Sequence, residues 1–183
     1  MKPNWFVGLR VPLAAGVARA VTEPPAGVRR FAAEDLHLTV AFLGAVGEEA
    51  ALRAWAAGGR ATGPAIAATL AGVVRMGSAR RFSALAAELG EGHREACDLI
   101  DALRTPMLEA AGSRPDTRPP RPHVTVARLR RRASPAERRG AVAWASGLTL
   151  PSGSIELAEL ALFTWAEDRD EVLFQVVESQ RLG

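Results

Sequence analysis

Residues 4–11 are rich in Trp, Phe and Val and predict a first strand. Pro12 then opens a short helix with Leu13, Val17 and Val21 on one face, and residues 23–27, with two prolines, form a loop. Residues 36–43 make the clearest strand of the first half, ended by Gly44 and Gly47. Glu48 and Glu49 suit the first turn of the next helix, where carboxylates complement the dipole. Leu52, Trp55 and Ala56 would be its buried face, and Gly58, Gly59 and Gly63-Pro64 close it. Residues 66–74 and 81–89 predict a hairpin around Gly77-Ser78. Residues 91–111 predict a long helix with Ala96, Ile100, Leu103, Met107 and Ala111 toward the core and Pro106 as a kink or a shifted start. After a loop, residues 124–129 are a strand. Ser134-Pro135-Ala136-Glu137 is a capping box that starts a helix continued by Trp144, Ala145 and Leu148. Residues 155–165 and 172–177 predict two closing strands.

The second half of this order echoes the first. The expected fold is α+β, with two pseudo-symmetric lobes whose antiparallel sheets, flanked by helices, surround a central cleft. The 183 residues fit a single bilobal domain spanning 1–183. A composition of 48% hydrophobic and 23% charged residues supplies a core and excludes global disorder. The one cysteine, Cys97, excludes an internal disulfide and a thiolate metal cage. No stretch has the roughly 18 apolar residues of a membrane span, and Arg10 and Pro12 interrupt any signal-like run at the start. The chain is therefore expected to be cytoplasmic, without a membrane partner, and monomeric. The net charge is only +3, but nine arginines lie between Arg114 and Arg139. That cluster reads either as a solvated face or as an attractor for phosphate or nucleic acid.

Two of the three histidines sit in matching tetrapeptides, His37-Leu38-Thr39-Val40 and His123-Val124-Thr125-Val126, 86 positions apart. Strand alternation puts His37 and Thr39 on one face and Leu36, Leu38, Val40 and Phe42 on the other. In the same way His123 and Thr125 face away from Val124 and Val126. The apolar sets belong to the core, so the His and Thr pairs face a cleft. A lone strand histidine usually just caps a sheet edge, but two copies, one per half, can converge across a pseudo-twofold axis. One imidazole can remove a proton while the other donates one, and the hydroxyls can hold an anion. The set suits phosphodiester chemistry and needs no metal. A zinc site would want a third ligand such as Asp35 or His93. Asp35 shares the parity of His37, whereas hydroxyls are poor zinc ligands and His93 reads as a surface residue.

The two tetrapeptides with their flanks resemble the two-histidine phosphoesterase superfamily. Phe6-Val7-Gly8-Leu9 looks like its first strand. Residues 35–44, Asp-Leu-His-Leu-Thr-Val-Ala-Phe-Leu-Gly, look like its first motif, and residues 121–128, Arg-Pro-His-Val-Thr-Val-Ala-Arg, look like its second. Together they are similar to the RNA 2′,3′-cyclic phosphodiesterases, also called 2′-5′ RNA ligases. The resemblance implies hydrolysis of a terminal 2′,3′-cyclic phosphate, on RNA or on a nucleoside, to a 2′-phosphate. It implies His123 as general base, His37 as general acid, Thr39 and Thr125 on the phosphate oxygens, and no cofactor. It also implies that 2′-5′ joining can occur as the reverse reaction. Arg128 matches a family arginine near the phosphate. It has the opposite parity to His123, so only a bulge would bring it into the cleft; Arg121 has the matching parity and is the second candidate. Phe6 is expected either to stack on a base or ribose or to pack in the core. Where many relatives carry a tryptophan, this chain reads Arg81-Phe82-Ser83-Ala84-Leu85, and it has no tyrosine. The alternatives are a two-histidine enzyme for another cyclic nucleotide or nucleotide-sugar cyclic phosphate, and a non-catalytic RNA-binding module.

Overall fold

The structure is a computed structural model that describes residues 2–58, 63–78 and 81–183. Ten strands are present among them: β1 (Trp5–Arg10), β2 (Val28–Arg30), β3 (His37–Gly44), β4 (Ile66–Ala68), β5 (Leu70–Met76), β6 (Ala84–Leu89), β7 (His123–Leu129), β8 (Ile155–Leu157), β9 (Glu159–Trp165) and β10 (Phe174–Arg181). The α-helices are α1 (Val17–Ala20), α2 (Glu48–Gly58), α3 (His93–Ala110) and α4 (Pro135–Ser146). The α+β architecture with antiparallel pairing is as expected. The main sheet runs β10-β9-β1-β3-β7-β6-β5, with β2 also paired to β7. Its two halves repeat one arrangement, β9-β1-β3 and β5-β6-β7, and meet where Leu38 of β3 pairs with Val124 of β7.

One face of the sheet carries the main core. Val7, Leu9, Leu38, Val40, Val124 and Leu162 meet Ala51 and Ala54 of α2 and Ala96, Ile100 and Met107 of α3. Burial of such side chains contributes about 25 cal/mol per Å² and holds the helices on this face. A second cluster, with Leu85, Ala127 and Leu129, lies under Ala141 and Ala145 of α4. The capping box forms as written: Ser134 Oγ accepts from Glu137 N at 3.2 Å, and the Glu137 carboxylate accepts from Ser134 N at 2.7 Å.

Several expectations are corrected. Residues 66–74 are not one strand. Thr69 turns aside to bond Gly90 and Glu91, which leaves β4 to pair with β8 in a separate two-stranded sheet. Residues 155–165 break likewise at Ala158, whose carbonyl accepts from Leu182 N. The buried face of α2 is Ala51, Ala54 and Gly58, while Leu52 and Ala56 are exposed. Small residues let α2 lie close to α3: a Cβ on Gly58 would overlap Met107 Cε. Leu13 is exposed, since a 3-10 turn precedes α1. Pro106 lies inside α3, and Leu103 is half-buried there. Strand β2 was not anticipated. Gly59 lies outside the described residues, as do residues 79 and 80, which follow the Gly77-Ser78 turn expected between the hairpin strands.

Candidate active site

The two histidine strands are built alike. Projecting the Leu38–Val124 pair one step each way puts His37 beside Thr125 and Thr39 beside His123 on the face opposite the core. Diagonal neighbours of this kind in an antiparallel pair have Cβ atoms about 7–8 Å apart, room for a phosphate between two imidazoles. In each strand the imidazole is fixed by the backbone two residues earlier. His37 Nδ1 meets the Asp35 carbonyl at 2.6 Å, and His123 Nδ1 meets the Arg121 carbonyl at 2.6 Å. A carbonyl only accepts, so each Nδ1 carries the proton and each Nε2 is left free for proton transfer.

Each strand also carries a bulge at the same place. Gly8 pairs with Thr39 and Val7 with Ala41, so Val40 is the extra residue of β3. Ala86 pairs with Thr125 and Leu85 with Ala127, so Val126 is the extra residue of β7. A bulge reverses the alternation beyond it. It sends Arg128 to the cleft side, resolving the parity conflict of the sequence. It also sends Phe42 there, a correction to its expected place in the core: Phe42 is 57% exposed and lines the cleft. Phe42 and Arg128 are again 86 positions apart. The sequence reading missed Phe42 because a bulge is decided by the partner strand.

The cleft encloses about 570 Å³, with Phe6, His37, Thr39, Phe42 and Arg128 on its walls together with Arg29, Arg130 and Arg169. The guanidinium of Arg128 stays open to the cleft, 5.8 Å from the Phe31 ring. Arg169 lies 4.2 Å over the Trp165 ring, and its Nε has no hydrogen-bond partner among the described residues. Arg121 is placed differently: it forms an ion pair with Glu88 at 2.6 Å. Thr39 is half-buried and Thr125 buried. Phe6 is 3% exposed, with its ring stacked on His37 at 4.5 Å and on Phe163 at 4.8 Å. It forms the wall behind His37, and a nucleobase would have to displace those rings to reach it. Gly8 leaves the space beside them, because a Cβ there would come 2.8 Å from the Leu38 carbonyl oxygen.

Asp35 is fully buried. It accepts from Leu173 N at 2.8 Å and from Phe174 N at 3.0 Å. This ties the segment bearing Phe174 to the residue whose carbonyl fixes His37. Burial raises the Asp35 pKa against the lowering effect of those two N–H groups. His93 heads α3 at the surface, with Cys97 Sγ 3.7 Å from its Nδ1, and Cys97 is half-buried. Among the described residues no cluster of three His, Cys, Asp or Glu is spaced to hold a metal ion.

The histidines differ in surroundings. Burial among the aromatic rings lowers the pKa of His37 to about 4, helped by the charges of Arg128 and His123. Burial also lowers the pKa of His123, but less of it is enclosed, and Glu88 pushes it back up. Arg128 itself is lowered by the packed protein around it and by Arg169. A phosphodiester anion entering this positive cleft would be attracted, and it would favour the protonated form of either imidazole.

A family model described as the 2′-5′ RNA ligase superfamily matches residues 11–169. The structure is similar to E. coli LigT complexed with 3′-AMP, at a TM-score of 0.70 and 22% identity, covering 99% of both chains. It is similar to TT0787 of Thermus thermophilus, at a TM-score of 0.71 and 22% identity, covering 98% of this chain and 97% of that one. A crystal structure described as a phosphoesterase gives a TM-score of 0.69 at 24% identity, covering 100% of this chain and 99% of the other. These likenesses establish the fold. No curated protein matches the sequence.

Proposed function

Because the chain belongs to the 2′-5′ RNA ligase superfamily of two-histidine phosphoesterases, we propose that it hydrolyses a terminal 2′,3′-cyclic phosphodiester of RNA to a 2′-phosphate. The observation that carries this reading is the pair of imidazoles on one sheet face, each with Nδ1 fixed and Nε2 free. In the proposed reaction Nε2 of His123 takes a proton from water, and the hydroxide attacks phosphorus. The bond from phosphorus to O3′ breaks, and Nε2 of His37 gives its proton to O3′. The products are a 2′-phosphate and a 3′-hydroxyl, and exchange with solvent resets both imidazoles. Thr39 and Thr125 donate to the non-bridging oxygens, and Arg128 supplies charge where it develops. Phe42 and Arg128, carried to the cleft by the paired bulges, offer a ring and a planar cation to the terminal base. A 5′-hydroxyl in place of water would form a 2′-5′ bond, as a side activity.

Turnover of a nucleoside 2′,3′-cyclic phosphate in excess EDTA, with 2′- and 3′-phosphate products separated, tests the proposal. A 2′-phosphate product, lost in His37→Ala and in His123→Ala, supports it. A 3′-phosphate product would reverse which ribose oxygen leaves. No turnover of this substrate or of an RNA with a cyclic end would overturn the reading, and loss of activity caused by EDTA alone would overturn its metal-free chemistry.

A further inference from the structure

A second concavity, of about 840 Å³, lies between β5 and α4. Its floor includes Val142 and Ala143, and its walls carry Arg75, Arg138 and Arg139. Arg138 is held in place, with its guanidinium 5.6 Å over the Phe82 ring and donating to the Phe82 carbonyl. Arg75 and Arg139 are exposed, and neither pairs with a carboxylate among the described residues. An apolar floor between unpaired cations suits a strand of nucleotides, which offers base faces and phosphates in alternation. The first turn of α4 connects the groove to the cleft wall. Arg130 of the cleft wall bonds Glu137 of that turn at 2.8 Å, and Pro135 and Arg138 on either side of Glu137 line the groove.

The charge of the two halves points the same way. Residues 117–155 contain eight arginines and one acid, Glu137. The matching residues 86 positions earlier, 31–69, contain four acids and two arginines. A polyanion leaving the cleft is therefore attracted along the second half and repelled by the first. Building on the RNA-end reading above, we infer that the groove between β5 and α4 receives the RNA strand on the 5′ side of the terminal nucleotide held in the cleft.

The test compares kcat/KM for a nucleoside 2′,3′-cyclic phosphate with that for oligoribonucleotides of increasing length bearing the same cyclic end. In parallel, the salt dependence of binding of a 5′-fluorescein-labelled, uncyclised oligoribonucleotide is followed by anisotropy. kcat/KM rises with length by about tenfold or more, the scale of one stacked base. The double variant Arg75→Gln/Arg139→Gln loses most of that rise and keeps the mononucleotide rate, since the mononucleotide does not reach the groove. Its log–log salt slope falls by about 1.4, at roughly 0.7 per phosphate contact on a single strand. No dependence on length, or oligonucleotide binding by the variant equal to wild type, would overturn the proposal. So would a double variant that still shows the full length effect but has lost binding to anionic vesicles, which would assign the groove to a membrane surface. If no cyclic phosphate is turned over but the double variant still loses oligonucleotide binding, the groove stands and the catalytic reading fails.

Discussion

His37 and His123 are held by the same device, an Nδ1 bond to the carbonyl two residues back, and each is followed by the same bulge. Their neighbours differ. Three phenylalanines, Phe6, Phe163 and Phe174, surround His37, whereas His123 lies beside the Glu88–Arg121 ion pair and is partly open to solvent. At the position where β1 sets Phe6 opposite Phe42, β6 sets Ala84 opposite Arg128. The residue that anchors His37 is a buried aspartate, and the one that anchors His123, 86 positions later, is an exposed arginine. One skeleton used twice thus supplies two proton-transfer groups with unequal proton affinities, and His37, the weaker base of the two in the empty cleft, can serve as the acid only by taking up its proton when the phosphate anion binds.

The largest effects should come from removing either imidazole. His37→Ala and His123→Ala should each cost at least about 100-fold in kcat, the lower range for general acid–base catalysis. The comparison sharpens with a substrate whose leaving group, such as a nitrophenolate, needs no proton. His37→Ala should recover much of its rate on it and His123→Ala should not. The reverse pattern would exchange the two roles.

The pH profiles should separate the free enzyme from its complex. With a pKa of about 4, His37 is protonated in only about one molecule in a thousand at pH 7 in the empty cleft. If His37 is the acid, kcat/KM, which reports the free enzyme, falls as pH rises from the acid range. The alkaline limb of kcat lies higher, because the bound phosphate anion favours the imidazolium. Coinciding limbs would break this account. The same lowered pKa affects stability. The unfolded chain, with its histidine near 6.5, binds a proton that the folded chain refuses, so stability rises with pH across this window. Below about pH 6.5 stability should decline, by roughly 3 kcal/mol on reaching pH 4. Denaturant titrations should show a smaller decline in His37→Asn than in wild type, the remainder including the contribution of His123, whose pKa is also lowered.

Asp35→Asn should come next. The amide keeps one acceptor oxygen, yet the carboxylate oxygens now share Leu173 N and Phe174 N in a buried place. The expected loss is about 1–3 kcal/mol of stability, together with a displaced Phe174 and a shift of the limb that His37 sets in the pH profile. Unchanged unfolding midpoints and pH profiles would sever the proposed link between this carboxylate and the histidine.

These features were not equally legible in the sequence. Matters decided within one segment were readable: the capping box at Ser134–Glu137, the long run of α3, and the alternation that put each histidine and threonine on the sheet face opposite the main core. What depended on a distant partner was not. Ile66 finds Leu157, and Asp35 finds Leu173 across 138 positions; neither leaves a local signature. The bulges at Val40 and Val126 arise from the registers of β1 and β6. For that reason simple alternation misplaced Phe42 and left Arg128 in conflict with its own motif. Helix α2 misled for another reason. Its packing depends on small Ala and Gly residues rather than on its one leucine.

Phe42→Ala tests whether the paired bulges are a shared device. Losing a stacked base should raise KM roughly tenfold to a hundredfold while leaving kcat for the bound substrate close to wild type. Arg128→Gln should lower kcat as well, because a charge on the phosphate is also lost. Equal changes in both variants would mean that Phe42 is not a platform for the base.

The smallest effect is expected from Arg121→Gln, the counterpart of Asp35→Asn in the other half. The guanidinium pairs with Glu88 at the surface, and such pairs contribute about 0–1 kcal/mol. The carbonyl that holds His123 belongs to the backbone and survives the substitution. Unfolding should therefore be almost unchanged. The charge balance around His123 is not: Arg121 lowers its pKa and Glu88 raises it. Removing the arginine leaves Glu88 unopposed, so His123 takes up a proton at higher pH. Because the pKa of His37 is lowered further than that of His123, the higher break of kcat/KM belongs to His123, so the alkaline limb moves upward and the acid limb, set by His37, stays in place. A shift of the acid limb alone would mean that His123, not His37, has the lower proton affinity in the empty cleft. No shift in either limb would show that the Glu88 pair does not act on His123, and that burial alone makes the two halves unequal.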